Sequence, residues 1–470
     1  MSRPSPPEGR PVAWEVTADL LARYDRSGPR YTSYPTAVEF HEGVGLEAYQ
    51  ERLEASTSRA PLSIYVHLPF CEERCLFCGC NVIISPDHAR ALPYLDLLRR
   101  EMAMLADRLP GPRPLVQLHL GGGTPTYFAP RLLAGFVGEL LALFPPTDDA
   151  ELAVEVDPRV TSNEHVDLLA ELGFNRISLG VQDFTPEVQG AIARRQSIEE
   201  TARLIERARA RGYRGVNVDL IYGLPYQRRE TFRRTVEEVI ELGVDRSAVY
   251  SFAHVPAMHP HMKRIPADAL PPREEKLALF ATARELFLEA GYEPIGMDHF
   301  ARPDDEIARA RREGRLSRNF QGYCVVAADD VVGLGTSAIG DLGDAYFQNA
   351  KKLNPYRHAI EQGRLPIERG VVLSADDRLR RDVIRHLMCN FRVDVGLIER
   401  RHGIEFRSYF AEDLAQLAEY ERDGLVSVGV DAIEATPLGE LFIRNLAMCF
   451  DRYLRPGASR VEGRPFSRTV

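Results

Sequence analysis

Four of the seven cysteines in this 470-residue chain, Cys71, Cys75, Cys78 and Cys80, crowd into ten positions of "HLPFCEERCLFCGCNV". Thiols packed this closely serve metal or redox chemistry, and their spacing, C-x3-C-x2-C-x-C, discriminates among the kinds. Structural zinc takes two ligand pairs separated by about a dozen residues, so that four donors close a tetrahedron; ten contiguous positions fit that poorly. A thioredoxin-type pair needs one C-x2-C and leaves Cys71 and Cys80 without a task. A [4Fe-4S] cluster is held by thiolates on close spacing and suits the loop better. Cys324, Cys389 and Cys449 stand alone and read as small buried hydrophobes.

Other polar residues fall where they can serve the same centre. Gly121, Gly122 and Gly123 leave the backbone open to a ligand, without the G-K-[ST] of a phosphate loop. Gln182 and Asp219 suit ribose hydroxyls, and Arg194 suits a carboxylate through its planar fork. Each of these is, taken singly, equally a solvated group at the end of a strand.

The elements that must position them are short β-branched runs alternating with longer amphipathic ones. Strands are predicted at 62–68, 115–120, 151–156, 176–181, 215–221 and 247–253, each followed by a helix pattern. In the last helix Phe280, Ala283, Phe287 and Ala290 share a face, and Gly291 is its stop. Successive βα units predict a parallel sheet, doubly wound or a whole or partial barrel, with ligands beyond the C-terminal strand ends. The cysteine loop follows the first strand, the glycines the second, and Glu155, Gln182 and Asp219 close the next three. One site on one face is the expectation.

Hydrophobic content of 44%, charged content of 27% and a net charge of −9 describe a globular protein without the basic excess that nucleic acid or an anionic membrane requires. No signal sequence or membrane span is visible, which predicts a cytoplasmic protein; a monomer is expected. The last part reads as helix, turn, helix and a β wing. Residues 374–453 carry eleven Arg or Lys against fifteen Asp or Glu, so a packing module is expected there rather than a DNA reader.

Cys71-x3-Cys75-x2-Cys78, with Phe77 before the third thiol, matches the signature of the radical SAM superfamily. Around it stand "SGPRYTSYPTA" (27–37), "LHLGGGTPTY", "VEVDPR", "SLGVQDF", "NVDLIYGLP", "IGMDHFARPDDE", "RNFQGY" and "MCFDRYLR". In that order, over about residues 20 to 455, they resemble the oxygen-independent coproporphyrinogen III oxidase (coproporphyrinogen dehydrogenase) family of porphyrin and haem biosynthesis.

The resemblance implies a partial (β/α)6 TIM-like barrel with an N-terminal arm and a smaller, mainly helical, winged-helix-like C-terminal domain. It implies boundaries at 1–50 for an arm and substrate lid, 51–300 for the barrel, 301–372 for an irregular connecting segment contributing to the site, 373–456 for the helical domain and 457–470 for a disordered tail. It further implies a [4Fe-4S] cluster on Cys71, Cys75 and Cys78, whose fourth iron chelates S-adenosylmethionine, and two S-adenosylmethionines per active site. Tyr65, Phe77, Gly121, Gly122, Thr124, Gln182, Arg194, Asp219 and Ala253 are implied for the first of these, and Glu155 and Ile339 for the second. Cys80, Glu155 and Gln321 are implied to act in catalysis, Cys80 toward substrate or second cofactor unless it is a plain loop thiol.

The activity implied is twofold oxidative decarboxylation of coproporphyrinogen III to protoporphyrinogen IX. A 5′-deoxyadenosyl radical takes a hydrogen from each of two propionates, and loss of CO2 and one electron leaves a vinyl group. A reductant for the cluster and an electron acceptor are required partners. Arg30 suits a substrate propionate, with Tyr31 and Tyr34 against the macrocycle on a closing lid or, alternatively, a strap. Cys324-Val325-Val326 departs from the polar run expected after Gln321-Gly322-Tyr323. A haem chaperone on the same barrel is the alternative; it normally lacks the fourth cysteine and the arm.

Overall fold

A computed structural model describes residues 16–57, 60–111, 113–326, 328, 330–459 and 466–469. The disorder expected of residues 1–11 lies outside the described residues, as does that of 460–465 and Val470.

All six predicted βα units form. The strands are β1 (Leu62–Leu68), β2 (Leu115–Gly122), β3 (Pro146–Val156), β4 (Arg176–Gln182), β5 (Gly215–Tyr222) and β6 (Arg246–Ser251). The helices α1 (Leu92–Arg108), α2 (Pro130–Leu143), α3 (Asn163–Glu171), α4 (Ile198–Ala210), α5 (Arg229–Glu241) and α6 (Arg273–Glu289) follow them in turn. Local chemistry sets the helix ends. Ser197 and Glu200 cap α4 reciprocally, the Glu200 N–H donating to Ser197 Oγ at 3.1 Å and the Ser197 N–H to Glu200 Oε2 at 2.8 Å. On α6 Phe280, Ala283 and Phe287 are buried as expected, but Ala290 lies past the helix as its C-cap and is exposed; Gly291, with φ +83°, ends the element.

Strand alternation divides apolar from polar. In β1 Leu62, Ile64, Val66 and Leu68 are fully buried in the core beneath the helices, while Ser63, Tyr65 and His67 take the opposite face. The same alternation sends Gln117 and His119, Glu151 and Glu155, Ser178, Asn217 and Asp219 into the lumen. Bulky aliphatic side chains fill most barrels of this kind; here the lumen is polar and so can take a ligand.

The sheet is larger than the six units. Its order is β12-β11-β10-β9-β1-β2-β3-β4-β5-β6-β8-β7, with β7 (Glu293–Ile295), β8 (His299–Ala301), β9 (Asp330–Leu334), β10 (Ile339–Leu342), β11 (Ala345–Asn349) and β12 (Ile367–Val372). From β9 through β6 the strands run parallel, and the two ends of the sheet do not pair, so the barrel is partial. The segment expected to be irregular thus contributes four strands. Its glycines misled because they serve close packing: a Cβ at Gly335 (φ +95°) would meet Tyr94 Oη at 2.5 Å and the His67 carbonyl at 2.6 Å.

Beneath this turn lies Glu101 of α1, 1% exposed, accepting from the Gly335 N–H at 2.8 Å, Asn349 Nδ2 at 2.7 Å and Tyr356 Oη at 2.5 Å. Burial pushes its carboxyl up to about 7 despite those three donors. A carboxyl raised on folding contributes stability that is fully present below its ordinary value of 4.5 and is lost as pH rises through about 7. That change is worth about 3 kcal/mol. Urea midpoints are therefore expected to fall between pH 5 and 8, and Glu101→Gln to flatten that slope; an unchanged slope in the variant would exclude Glu101 as its source.

Helices α7 (Ala375–Asn390), α8 (Val395–His402) and α9 (Ala411–Arg422), with a three-stranded wing, form the C-terminal unit. The arm packs into it: Leu20, Tyr24, Tyr31 and Tyr34 share a buried cluster with Leu387, Phe410 and Phe450. Residues 466–469 of the expected disordered tail instead return to the arm, where the Thr469 N–H donates to the Arg26 carbonyl at 2.8 Å and Arg468 pairs with Asp25 at 2.7 Å. Among the described residues no helix is long and apolar enough to cross a membrane.

Candidate active site

The cysteine loop leaves β1 and is closed by a short parallel pairing of Phe70–Cys71 with Ile83–Ile84. Three contacts fix it. Phe70 packs among Tyr94, Tyr127 and Phe128; the Leu76 N–H donates to the Ile192 carbonyl at 2.9 Å; His261 Nε2 donates to the Cys78 carbonyl at 2.9 Å. The loop borders a cavity of about 570 Å3 at the C-terminal mouth of the barrel, lined by Cys71, Cys75, Cys78, Cys80 and Phe77. Gly122, Thr124, Glu155, Gln182, Arg194 and Asp219 line it from the following strands. That volume falls within the range of small-molecule sites.

Two non-glycine residues of the lining, Gln182 (φ +71°) and Ala193 (φ +54°), sit in the left-handed region. Such strain persists where the surroundings over-determine it, as in ligand sites. Gly122 (φ +115°) is obligatory for space as well, since a Cβ there would meet His67 Nδ1 at 2.6 Å.

Under the loop Asp157 receives Arg194 Nη1 at 2.8 Å and Arg159 Nη2 at 2.7 Å. Both guanidiniums also donate to Cys75 Sγ, at 3.5 and 3.6 Å. Thr124 Oγ1 lies 3.5 Å from Cys71 Sγ, and the Cys80 N–H donates to Cys78 Sγ at 3.4 Å. Hydrogen bonding from Cys80 draws the Cys78 thiol down to about 6, while burial pushes Cys71 up to about 11. Among the described residues no three His, Cys, Asp or Glu groups converge on one point as a single ion requires. A cubane asks for something else, one thiolate at each of several irons. Three thiols on the rim of one cavity, with cationic donors behind Cys75 and a buried Arg194 Nε that has no partner, fit that group.

Deeper in the lumen Glu155 accepts from His119 Nε2 at 2.9 Å and from the Gly122 N–H at 3.4 Å. Burial alone raises its carboxyl, but His119 more than reverses this and holds it below the ordinary value. Asp219 accepts from Asn217 Nδ2 at 2.7 Å and Ser178 Oγ at 3.3 Å; burial and the neighbouring Glu155 push it up to about 6. Tyr65 Oη lies 3.0 Å from His67 Nδ1, His67 Nε2 donates to the Asn81 carbonyl at 2.9 Å, and burial lowers the pKa of the His67 imidazole below its ordinary value. Gln321 lines a smaller cavity of about 120 Å3 below, which shares Glu155, Ser178 and Asp219 with the upper one; its Oε1 is buried without a partner.

Other expected residues stand outside the upper cavity. Gly121 backs it, since a Cβ there would meet Glu155 at 2.9 Å, and Ala253 follows β6. Ile339 abuts Gly333, the register partner of Tyr65, and packs toward Phe40 and Tyr346. Tyr31 and Tyr34 are corrected most. Their rings are 5% and 2% exposed, Tyr31 Oη donates to Asp451 at 2.9 Å, and Tyr34 Oη accepts from the Arg452 N–H at 3.2 Å. Burying a phenol requires a partner, and both found theirs in the C-terminal unit, so this part of the arm is a strap, not a lid. Cys324 and Val326 line a lateral cavity shared with these tyrosines, so the departure in sequence lies away from the cysteine loop.

Arg30 alone of its motif turns to the barrel mouth, donating to the Ser251 carbonyl at 3.4 Å and standing 6.0 Å over the Tyr250 ring. Lys276 and Arg318 join it, bonded to the carbonyls of Phe252 (3.1 Å) and Arg30 (3.2 Å). None of the three has a carboxylate within 4.0 Å among the described residues.

Sequence reading passed over Asp157, Arg159, His67 and His119. Asp157 and Arg159 stand in a D-x-R pair after β3, and the histidines occupy lumen positions of β1 and β2. A polar residue recurring at the lumen period of an apolar strand was the available signal.

Residues 65–239 match the description "Radical SAM superfamily" and residues 373–442 "HemN C-terminal domain". With the cysteine loop at the mouth of a partial barrel, the class is that of the radical SAM enzymes. A solved structure from Escherichia coli, titled "Coproporphyrinogen III oxidase (HemN) from Escherichia coli is a Radical SAM enzyme", aligns with a TM-score of 0.87 at 46% identity, covering 90% of this chain and 98% of that one. The oxygen-independent coproporphyrinogen III oxidase of Pseudomonas aeruginosa is 46% identical over 465 residues, covering 98% of this chain and 99% of that one. Its namesake in Escherichia coli is 44% identical over 459 residues, with coverage of 98% and 99%. The chain belongs to the oxygen-independent coproporphyrinogen III oxidase family.

Proposed function

We propose that the chain converts two propionate side chains of coproporphyrinogen III to vinyl groups without oxygen, giving protoporphyrinogen IX. The observation that carries this is the set of three thiols on the rim of a ligand-sized cavity at the barrel mouth; the family membership supports the substrate. Cys71, Cys75 and Cys78 would hold the cluster, which with S-adenosylmethionine would supply one-electron radical chemistry.

The chain's own residues do the remaining work. Asp157 fixes Arg194 and Arg159 against Cys75. Asp219 and Gln182 bind ribose hydroxyls. Glu155, its carboxyl held below the ordinary value by His119, and Ile339 would contact a second S-adenosylmethionine. Arg30, Lys276 and Arg318, bonded only to neutral acceptors (carbonyls and, for Arg318, also Met297 Sδ at 3.9 Å), exchange these for substrate propionates, which are stronger acceptors. A cluster reductant and an electron acceptor complete the cycle. The alternative of a haem chaperone is not favoured.

Anaerobically reconstituted protein supplied with reductant, S-adenosylmethionine and coproporphyrinogen III is expected to yield 5′-deoxyadenosine, CO2 and protoporphyrinogen together. Deoxyadenosine without CO2 would remove the substrate and keep the class. Arg30→Ala is expected to leave iron content intact and lower kcat/KM by about 10- to 100-fold, as loss of a charge-assisted pair would. Wild-type turnover in that variant would show that Arg30 belongs to the strap.

A further inference from the structure

The turn Pro260–Arg264, which follows β6, is locked onto the cysteine loop. His261 donates to the Cys78 carbonyl, a Cβ on Gly79 would lie 3.6 Å from His259 Nε2, and Met262 and Ile265 bury in the same apolar cluster as Leu76. Whatever this turn shows to solvent therefore lies beside Cys78. It shows Lys263 and Arg264, and just ahead of them Met258, 54% exposed. Arg74 adds a further charge from the loop itself.

These cations are free to meet a partner. Among the described residues neither Lys263, Arg264 nor Arg74 has a carboxylate within 4.0 Å. Of the acids of the loop, Glu72 pairs with His88 at 3.0 Å, and Glu73, its side chain 77% exposed, lies 4.0 Å from Arg159. On a chain of net charge −9, a basic rim around an exposed methionine is a local reversal of sign. Opposed charge steers encounter between proteins, and a polarisable apolar contact at the centre holds what has been steered.

We infer that Met258, Lys263, Arg264 and Arg74 dock a small acidic one-electron carrier protein. The inference rests on the reading of the cysteine loop as a cluster site and names the partner class that serves it. One electron leaves the carrier and one enters the cluster; no atom is transferred. The hydrogen bond from His261 to the Cys78 carbonyl makes the route inward a short bonded one.

The test uses anaerobically reconstituted holoenzyme and an acidic bacterial flavodoxin. Titration of one against the other at rising salt should give an affinity that falls steeply with ionic strength. The double variant Lys263→Glu/Arg264→Glu should bind about tenfold more weakly with a shallower salt slope, and its cluster should be reduced correspondingly slowly by flavodoxin hydroquinone. Dithionite, which needs no docking, should reduce both proteins at one rate. Arg131→Glu, an exposed change on α2 in the same electrostatic direction, should bind as wild type. Equal affinity and equal flavodoxin-driven reduction in the double variant overturn the docking surface. Failure of dithionite to reduce either protein counts instead against the cluster reading, because flavodoxin binding is scored independently.

Discussion

Serine in place of Cys71, Cys75 or Cys78 is expected to abolish the cluster and, with it, product formation, by on the order of a thousandfold or more. An alcohol does not ionise in the range where a thiolate does, so the loop loses a corner ligand that no neighbour replaces. Cys80 is near enough to donate to Cys78 Sγ, yet it stands beyond the three-thiol spacing. Cys80→Ser should therefore keep its iron and sulfide, which makes it the internal control. Iron analysis, the visible absorption of the cluster and 5′-deoxyadenosine release measure the outcome. If the variant at Cys71, Cys75 or Cys78 kept full iron and turnover, the assignment of that thiol would be withdrawn.

Asp157→Asn should follow in severity. The substitution keeps shape and removes the charge that two guanidiniums share; Arg194 and Asp157 side chains are only 7% and 8% exposed. Removing one partner from a buried ion pair costs about 3–5 kcal/mol, because the other charge stays buried without compensation. It also releases the donors aimed at Cys75 Sγ, so a loss of cluster on dilution should accompany a lower thermal midpoint. Burial on its own would raise the Asp157 carboxyl, but Arg194 and Arg159 more than reverse this and hold it below the ordinary value. A depressed carboxyl contributes stability that is present above its unfolded value and is lost as pH falls through the folded one. The gap between wild type and variant should thus be widest near neutrality and close in acid. A gap independent of pH would show that the charge of Asp157 is not what the site uses.

The barrel was legible because its signals are local. β1, β2, β4 and β5 start where apolar alternation placed them, since a strand in a parallel sheet must bury one full face under helices whatever lies elsewhere. The spacing of Cys71, Cys75 and Cys78 was legible for a similar reason, as it concerns one short loop and the reach of its own backbone. β9 and β10 were missed because glycine reads as loop until the neighbour it must admit is known, as Gly335 between them must admit Tyr94 and His67.

Sequence by itself determined the six βα units, the thiol loop after the first of them, and the side of the sheet on which ligands bind. Only the tertiary structure decided that Tyr31 and Tyr34 strap the arm to the C-terminal unit, that Arg30 turns the other way, and that Asp157 ties two arginines to Cys75. The physical reason is sequence separation. A period or a spacing is carried by neighbours along the chain, whereas the partner of a buried phenol or charge, such as Asp451 for Tyr31 from 420 positions away, is chosen by packing.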